Sequence, residues 1–133
     1  MEIQEIIDNF SIFESWEDKY QYLIELGQSM SGMPENEKTE ANEVKGCTSR
    51  VWISYKKIGD RYYFTADSDA FIVKGLVSVL LMVLCGKTEN EIKAIDIENL
   101  FSSLGLSEHL SPTRRNGFFS MVKRIYDIVD GKI

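Results

Sequence analysis

The sequence is poor in the residues that usually hold metal ions. It contains only two cysteines and one histidine among its 133 residues. A closed zinc site takes four ligands, most often cysteine and histidine, so His109 with Cys47 and Cys85 would need unusual carboxylate ligands. We therefore expect no metal site. Two cysteines without an export signal also indicate a reducing compartment, in which thiols stay free and no disulfide supports the fold.

The sequence also lacks a long apolar run and an excess of basic residues. Its longest mostly apolar run covers residues 76–85, whereas a membrane-spanning helix needs about 20 residues. This run therefore predicts a buried helix. The net charge of −6 and the pI near 4.8 argue against nucleic acid, because phosphate binding requires a basic surface. The acidic N-terminus has none of the features of a signal peptide. These absences predict a cytoplasmic protein that binds neither nucleic acid nor a membrane.

Two short motifs are similar to known binding loops but fail on spacing. The sequence GKT at residues 86–88 ends like a phosphate-binding loop, but Leu81 stands where that loop requires a glycine. Asp67 and Asp69 are spaced like the start of a calcium loop, but Phe71 takes the next ligand position. Nothing marks a nucleophilic serine on a sharp turn either. Nucleotide binding, calcium binding and serine-dependent hydrolysis are therefore set aside.

Length and pattern predict a single α+β domain over residues 1–133. A domain of this size buries about two-thirds of the surface that its unfolded chain exposes, and 44% of the residues are apolar. Residues 51–55 and 61–65 are β-branched and aromatic, and the Gly-Asp pair at 59–60 suits a hairpin turn. Val44 is predicted to open a third, short strand. The expected fold is a small antiparallel three-stranded sheet packed by helices.

Capping residues mark the ends of the predicted helices. Residues 67–69, Asp-Ser-Asp, are predicted to cap the long buried helix, and Gly86 is predicted to end it in the left-handed conformation. Three further helix starts follow the same logic. They are Ser15, Thr88 with Glu91 as a capping box, and Ser111 followed by Pro112.

Cys47 is the residue with the clearest chemical potential. It follows Gly46, whose backbone freedom allows the thiol to project from a loop. Lys45 and Arg50 are close in sequence, and positive charge stabilises the thiolate, which is the nucleophilic form. Cys85, by contrast, lies at the end of the apolar helix and is interpreted as a small buried hydrophobe. A single loop thiol without a partner histidine or cysteine favours a protein that carries a group on sulfur.

Four blocks of this sequence resemble the SufE/CsdE family of sulfur-acceptor proteins. They occur in the same order and with matching spacing, so the resemblance runs over nearly the whole chain. The blocks are WEDKY with LIELG at residues 16–27, VKGCTSRVW at 44–52, DSDA with IVKG at 67–75, and HLSPTRRNG at 109–117.

The resemblance implies a specific function. Proteins of this family take persulfide sulfur from a cysteine desulfurase of the SufS or CsdA type and stimulate that enzyme. They then pass the sulfur to an iron–sulfur cluster scaffold of the SufBCD type. The pyridoxal phosphate belongs to the desulfurase, so the acceptor is expected to be a carrier that is not itself an enzyme and has no cofactor of its own. The implied fold is α+β, similar to that of the IscU-type scaffolds.

The resemblance also assigns site residues. Cys47 matches the sulfur acceptor, which carries a transient persulfide. The other residues implied in the acceptor loop or in partner binding are Gly46, Ser49, Arg50, Asp69, His109, Arg114 and Asn116.

The sequence departs from the family pattern near the cysteine. Glutamines often flank the serine after the acceptor, whereas Thr48 and Arg50 stand here, and Phe118–Phe119 is bulkier than the usual continuation. We expect the loop to shelter Cys47 in the free protein and to open on docking. Two other functions stay open at this point: a cluster scaffold, which would need more ligands than Cys47, and a stand-alone thiol enzyme, for which Cys47 and His109 would have to meet.

Overall fold

A computed structural model describes residues 3–106, 108 and 110–133, and His109 therefore lies outside the described residues. The chain folds into helices around a small sheet. In chain order the elements are α1 Ile3–Ser11, α2 Trp16–Ser29, a 3-10 turn Glu35–Glu37, β1 Val51–Ile58, β2 Arg61–Ser68, α3 Phe71–Leu84, β3 Lys87–Thr88, α4 Glu89–Ala94, α5 Ile97–Ser103 and α6 Pro112–Val129.

The sheet has three antiparallel strands in the order β1-β2-β3, which confirms the predicted α+β class. The predicted hairpin forms, with Ile58 opposite Arg61 and Gly59 at a φ of +63°. The third strand, however, is not at Val44. It is β3, which pairs with the start of β2 after Gly86 has turned the chain back at a φ of +77°. The segment before Cys47 makes only an isolated bridge with β1.

Three of the predicted helix starts form as expected. The side chains of Ser15 and Ser111 accept hydrogen bonds from the backbone N–H three residues on, and Thr88 forms a reciprocal capping box with Glu91. The prediction for α3 is wrong. Asp67 and Ser68 belong to β2, and Ala70 occupies the N-cap position without a side-chain hydrogen bond.

Helix α3 forms the centre of the core. It packs against α2 on one side and against β2 on another. Its contact with α2 is unusually close, because a Cβ atom on Gly27 would lie 2.7 Å from the backbone nitrogen of Gly75. Two glycines facing each other let the helix backbones approach, and this sets the position of α3 relative to the sheet. The buried residues of α3 are Val73, Gly75, Leu76, Val77, Ser78, Val79, Leu80, Val83 and Leu84.

Asp67 joins three separate parts of the chain. Its side chain is only 11% exposed, and it accepts hydrogen bonds from the backbone N–H of Ser68 at 2.8 Å and of Met33 at 3.2 Å. Lys38 and Lys74 lie 3.3 and 3.4 Å from its two oxygens. Burial by itself raises the pKa of the Asp67 carboxyl, but the two N–H donors and the two lysines outweigh it, so the pKa is lowered. The carboxylate therefore stabilises the fold in its charged form.

Replacing Asp67 with asparagine is expected to destabilise the protein by about 2 kcal/mol at neutral pH, because hydrogen bonds to a charged group are lost. A carboxyl with a lowered folded-state pKa contributes stability above its unfolded value of about 3.9, and that contribution disappears as the pH falls through the folded value. Urea unfolding of both proteins across the acid range should therefore show the difference shrinking below about pH 4. Asp60→Asn, which removes the same charge from the exposed hairpin turn, is the control. An equal loss in both variants would contradict the role given to Asp67.

Candidate functional site

The loop that carries Cys47 is closed at its base by backbone hydrogen bonds. The N–H of Val44 donates to the carbonyl of Val51 at 2.8 Å, and the N–H of Ile53 donates to the carbonyl of Asn42 at 2.9 Å. Residues 45–50 therefore form a loop whose two ends, at Val44 and Val51, are held side by side. We call these residues the acceptor loop. Its base is fixed by the sheet, and its middle, with Cys47, is free of sheet pairing.

The second limb of the acceptor loop is held by the end of β2. The N–H of Arg50 donates to Oδ1 of Asp69 at 3.0 Å. The carbonyl of Arg50 accepts from Ser68 Oγ at 2.8 Å and from the N–H of Asp69 at 3.2 Å. Asp69 thus positions the backbone three residues after Cys47. The family resemblance implied that Asp69 acts in the acceptor loop or in partner binding. In the structure its side chain holds the backbone of that loop.

The Cys47 thiol points inwards. The residue is half-buried, and Sγ donates a hydrogen bond to the carbonyl of Gly117 at 3.4 Å. Behind it lies a cavity of about 30 Å³ with a mostly apolar lining. The lining residues are Cys47, Thr48, Ser49, Val73, Leu76, Thr113, Arg114, Gly117, Phe118 and Met121.

Burial raises the pKa of the Cys47 thiol. This corrects the expectation that Lys45 and Arg50 stabilise its thiolate in this conformation. Arg50 is directed elsewhere: its guanidinium lies 3.3 Å from the carboxylate of Glu43 and stacks over the ring of Trp52 at 4.9 Å. Proximity in sequence was the wrong guide, because Arg50 is engaged by Glu43 and neither Lys45 nor Arg50 contributes to the shift in the Cys47 pKa. The thiol is held in its neutral, less reactive form.

The other residues that the sequence singled out fall into two groups. Ser49 and Arg114 line the Cys47 cavity, and Gly46, at a φ of +89°, precedes the thiol. Asn116 is exposed on α6 and does not line that cavity; its carbonyl accepts a hydrogen bond from Ser120 Oγ at 3.1 Å.

Sequence reasoning missed the residues that build the cavity wall. Gly117 is one of them: a Cβ there would lie 3.6 Å from Sγ of Cys47, an ordinary contact distance. Val73, Leu76 and Met121 are buried and follow the apolar spacing of α3 and α6. That spacing predicts a core position but gives no signal that a thiol lies against it.

The described part of the chain shows no group of three or more histidine, cysteine, aspartate or glutamate side chains placed to hold a metal ion. Cys85 makes two contacts with the backbone of Phe64, accepting from its N–H at 3.2 Å and donating to its carbonyl at 3.4 Å. Among the same residues, none of the helices has the length and apolar character needed to cross a membrane.

Comparison with known proteins gives a consistent result. The profile of the SufE family, described as an Fe-S metabolism associated domain, matches residues 4–129. An uncharacterized SufE-like protein of Rhizobium meliloti (strain 1021) is 42% identical, over 98% of this chain and 96% of the relative. A second SufE-like protein, from Rhizobium etli, is 45% identical over 92% of this chain and 86% of its own length.

A solved structure supports the fold alone. The solution structure of a hypothetical protein from Thermus thermophilus superposes with a TM-score of 0.78, covering 97% of this chain and 93% of that protein, at 18% identity. The family profile and the two rhizobial relatives cover almost the whole sequence. The chain therefore belongs to the SufE family, whose place is in iron–sulfur metabolism.

Proposed function

We propose that this protein accepts persulfide sulfur on Cys47 from a pyridoxal-phosphate-dependent cysteine desulfurase of the SufS or CsdA type. It stimulates that enzyme and delivers the sulfur to a cluster scaffold of the SufBCD type. The protein acts as a carrier in the cytoplasm, where reduced thiols persist. The observation that carries the proposal is the Cys47 thiol, held against an apolar cavity in the middle of a loop that is anchored at its base.

The transfer step resembles thiol–disulfide exchange. The Cys47 thiolate attacks the outer sulfur of the donor persulfide, R–S–SH. A new S–S bond forms on Cys47, the donor S–S bond breaks, and the donor cysteine leaves as its thiolate. Cys47 then carries S–SH, and the proton lost by the Cys47 thiol balances the charge of the departing thiolate. Attack on the inner sulfur would instead form a mixed disulfide, so the geometry of the docked loop has to select the outer atom.

The cavity behind Cys47 suits the product of this step. A volume of about 30 Å³ exceeds the roughly 10–15 Å³ that one water-sized probe needs, so one additional atom fits beside Sγ. Its lining includes Val73, Leu76 and Met121, which offer few hydrogen bonds to water. An apolar enclosure keeps aqueous reductants and oxidants away from the outer sulfur between loading and delivery.

Loading requires the acceptor loop to open. In the closed conformation the thiol is half-buried and bonded to the carbonyl of Gly117, and burial raises its pKa, so a donor persulfide meets a partly covered and weakly nucleophilic sulfur. Opening breaks one weak S–H···O bond while the base at Val44 and Val51 stays paired. Exposure to water removes the burial that raised the pKa. Docking of the donor, which opens the loop, therefore also favours formation of the Cys47 thiolate.

Mass spectrometry of the wild-type protein tests the proposal. After incubation with an active cysteine desulfurase and cysteine, the Cys47 peptide is expected to gain one sulfur atom, about 32 Da, through persulfide exchange. The Cys85 peptide should remain unchanged, because its thiol is engaged with the backbone of Phe64. Alanine release confirms that the donor is active. Continued alanine release by SufS- and CsdA-type donors, with no sulfur on Cys47, would reject the proposal.

A further inference from the structure

A basic cleft lies beside the acceptor loop. It is lined by other residues than those that line the cavity behind Cys47. Its volume is about 240 Å³, and it is bounded by the start of the loop and by one face of α6. Three cationic side chains line it together with the carboxylate of Asp127 and the terminal residue Ile133, in a protein whose net charge is −6. The lining residues are Val44, Lys45, Ser120, Lys123, Arg124, Asp127 and Ile133.

Only one of the three cations in this cleft is neutralised locally. Lys123 lies 2.7 Å from the carboxylate of Asp127. Across the residues that the structure describes, no carboxylate comes within ion-pair distance of Lys45 or Arg124. Glu43 acts on Lys45 electrostatically, but its carboxylate oxygens bind Arg50. The cleft therefore keeps an excess of positive charge.

Arg124 also has an unmet hydrogen-bonding requirement. One of its amino groups donates to the carbonyl of Ala41, which ties α6 to the segment before the loop. Its Nε atom is buried and has no acceptor. A buried donor without a partner is costly, and a guanidinium is the group that best matches a carboxylate. A carboxylate that binds the outer amino groups of Arg124 supplies the missing negative charge.

The cleft shares a wall with the acceptor loop. Lys45 stands two positions before Cys47, and Gly46 packs so closely on α6 that a Cβ there would lie 2.6 Å from Oγ of Ser120. A group that binds Lys45 therefore acts on the limb of the loop that leads to the thiol.

We propose that this cleft binds an aspartate or glutamate side chain of the cysteine desulfurase that donates sulfur to Cys47. The inference rests on the proposed function and names the chemistry by which the partner is recognised. The partner's carboxylate pairs with Lys45 and Arg124, and Val44 contacts its aliphatic stem. The contact places the partner next to the acceptor loop.

Two lysine variants test this proposal, one inside the cleft and one outside it. Lys45→Gln and Lys56→Gln remove the same charge from exposed side chains, but only Lys45 lines the cleft, whereas Lys56 lies on β1. With a cysteine desulfurase as donor, Lys45→Gln should lower the kcat/KM of Cys47 persulfidation by about fivefold to tenfold, and Lys56→Gln by less than about twofold. Raising the salt to about 0.5 M should shrink the first effect. With a small persulfide whose alkyl group carries no charge as donor, all three proteins should react alike.

Each other outcome of that experiment overturns the proposal. Equal losses in both variants with the desulfurase would show general electrostatic attraction without a cleft. A loss in Lys45→Gln with the alkyl persulfide as well would show an effect on Cys47 itself. If the wild type gains no sulfur from the desulfurase but reacts with the alkyl persulfide, the proposed function fails and this inference fails with it.

Binding to peptides provides a readout that does not depend on sulfur transfer. An N-acetylated tetraglutamate peptide should shift the backbone NMR signals of Lys45, Ser120 and Arg124, whereas the matching tetraglutamine peptide should not. Inorganic phosphate is the third probe. Shifts with phosphate and none with tetraglutamate would identify a small-anion site and overturn the assignment of a partner carboxylate.

Discussion

Replacing Cys47 with serine is expected to abolish sulfur loading completely and to return a partner desulfurase to its unstimulated rate. A hydroxyl at this position is not ionised at neutral pH and forms no persulfide. The fold should tolerate the change, because a serine hydroxyl can donate to the same Gly117 carbonyl that the thiol contacts at 3.4 Å. Mass spectrometry of the protein and alanine production by the desulfurase measure the two effects, and thermal unfolding should differ little from wild type.

Cys85→Ser is the matched control for this experiment. Cys85 is also partly buried, and burial also raises its pKa, although the backbone hydrogen bond from Phe64 opposes this. A serine can both accept from and donate to Phe64, as the cysteine does. Loading should therefore proceed as in wild type. Loss of loading in Cys85→Ser, or sulfur retained in Cys47→Ser, would remove Cys47 from its proposed role.

The parts of the fold that the sequence predicted well are those fixed by local interactions. Ser15, Thr88 and Ser111 each satisfy an N–H only three residues away, and Gly86 needs only its own positive φ. A few consecutive residues are therefore enough to predict these features. The third strand is different, because β3 has only two residues and is formed by pairing with Arg61 and Tyr62. No two-residue pattern contains that information.

Asp67 shows how a tertiary contact overrides a local motif. The run of residues 67–69 has the composition of a helix cap, and α3 does begin directly after it. In the structure, Asp67 instead accepts from Met33, which is 34 positions away, and pairs with Lys38 and Lys74. Partners at that separation leave no mark in the local sequence. The sequence shows that an aspartate stands at position 67, but it does not predict which groups this aspartate binds.

The candidate site divides in the same way. Cys47, Gly46 and Ser49 lie together because they are close neighbours on one loop, so a motif is enough to find them. The wall of the cavity comes from α3 and α6, and residues such as Leu76 and Gly117 are recognisable only once the helices are packed. Arg50 illustrates the opposite error: its charge lies near Cys47 in sequence but is paired with Glu43 in space.

Gly75→Ala is expected to cause the largest loss of stability of any single-methyl addition considered for this fold. A Cβ on Gly75 would collide with the backbone carbonyl of Leu23 and lie 2.7 Å from its Cγ. Backbone cannot move aside as a flexible side chain can, so α2 and α3 must separate. Overpacking of this kind costs about 3 kcal/mol, and the helix propensity of alanine returns at most about 1 kcal/mol. Thermal unfolding should show a midpoint lower by roughly 10 °C.

Gly117→Ala separates a steric effect from a general effect of glycine in a helix. Gly117 is buried within α6 and has no positive φ, and the atom nearest to its added Cβ would be Sγ of Cys47, at an ordinary 3.6 Å. Without a clash, the variant should gain about 0.5–1 kcal/mol from helix propensity. Opposite signs for the two substitutions would show that α2 and α3 are held at a distance that only glycine permits. Stabilisation by Gly75→Ala would instead contradict the close packing of α2 on α3. Close approach of these two helices would then no longer explain the position of α3 behind Cys47.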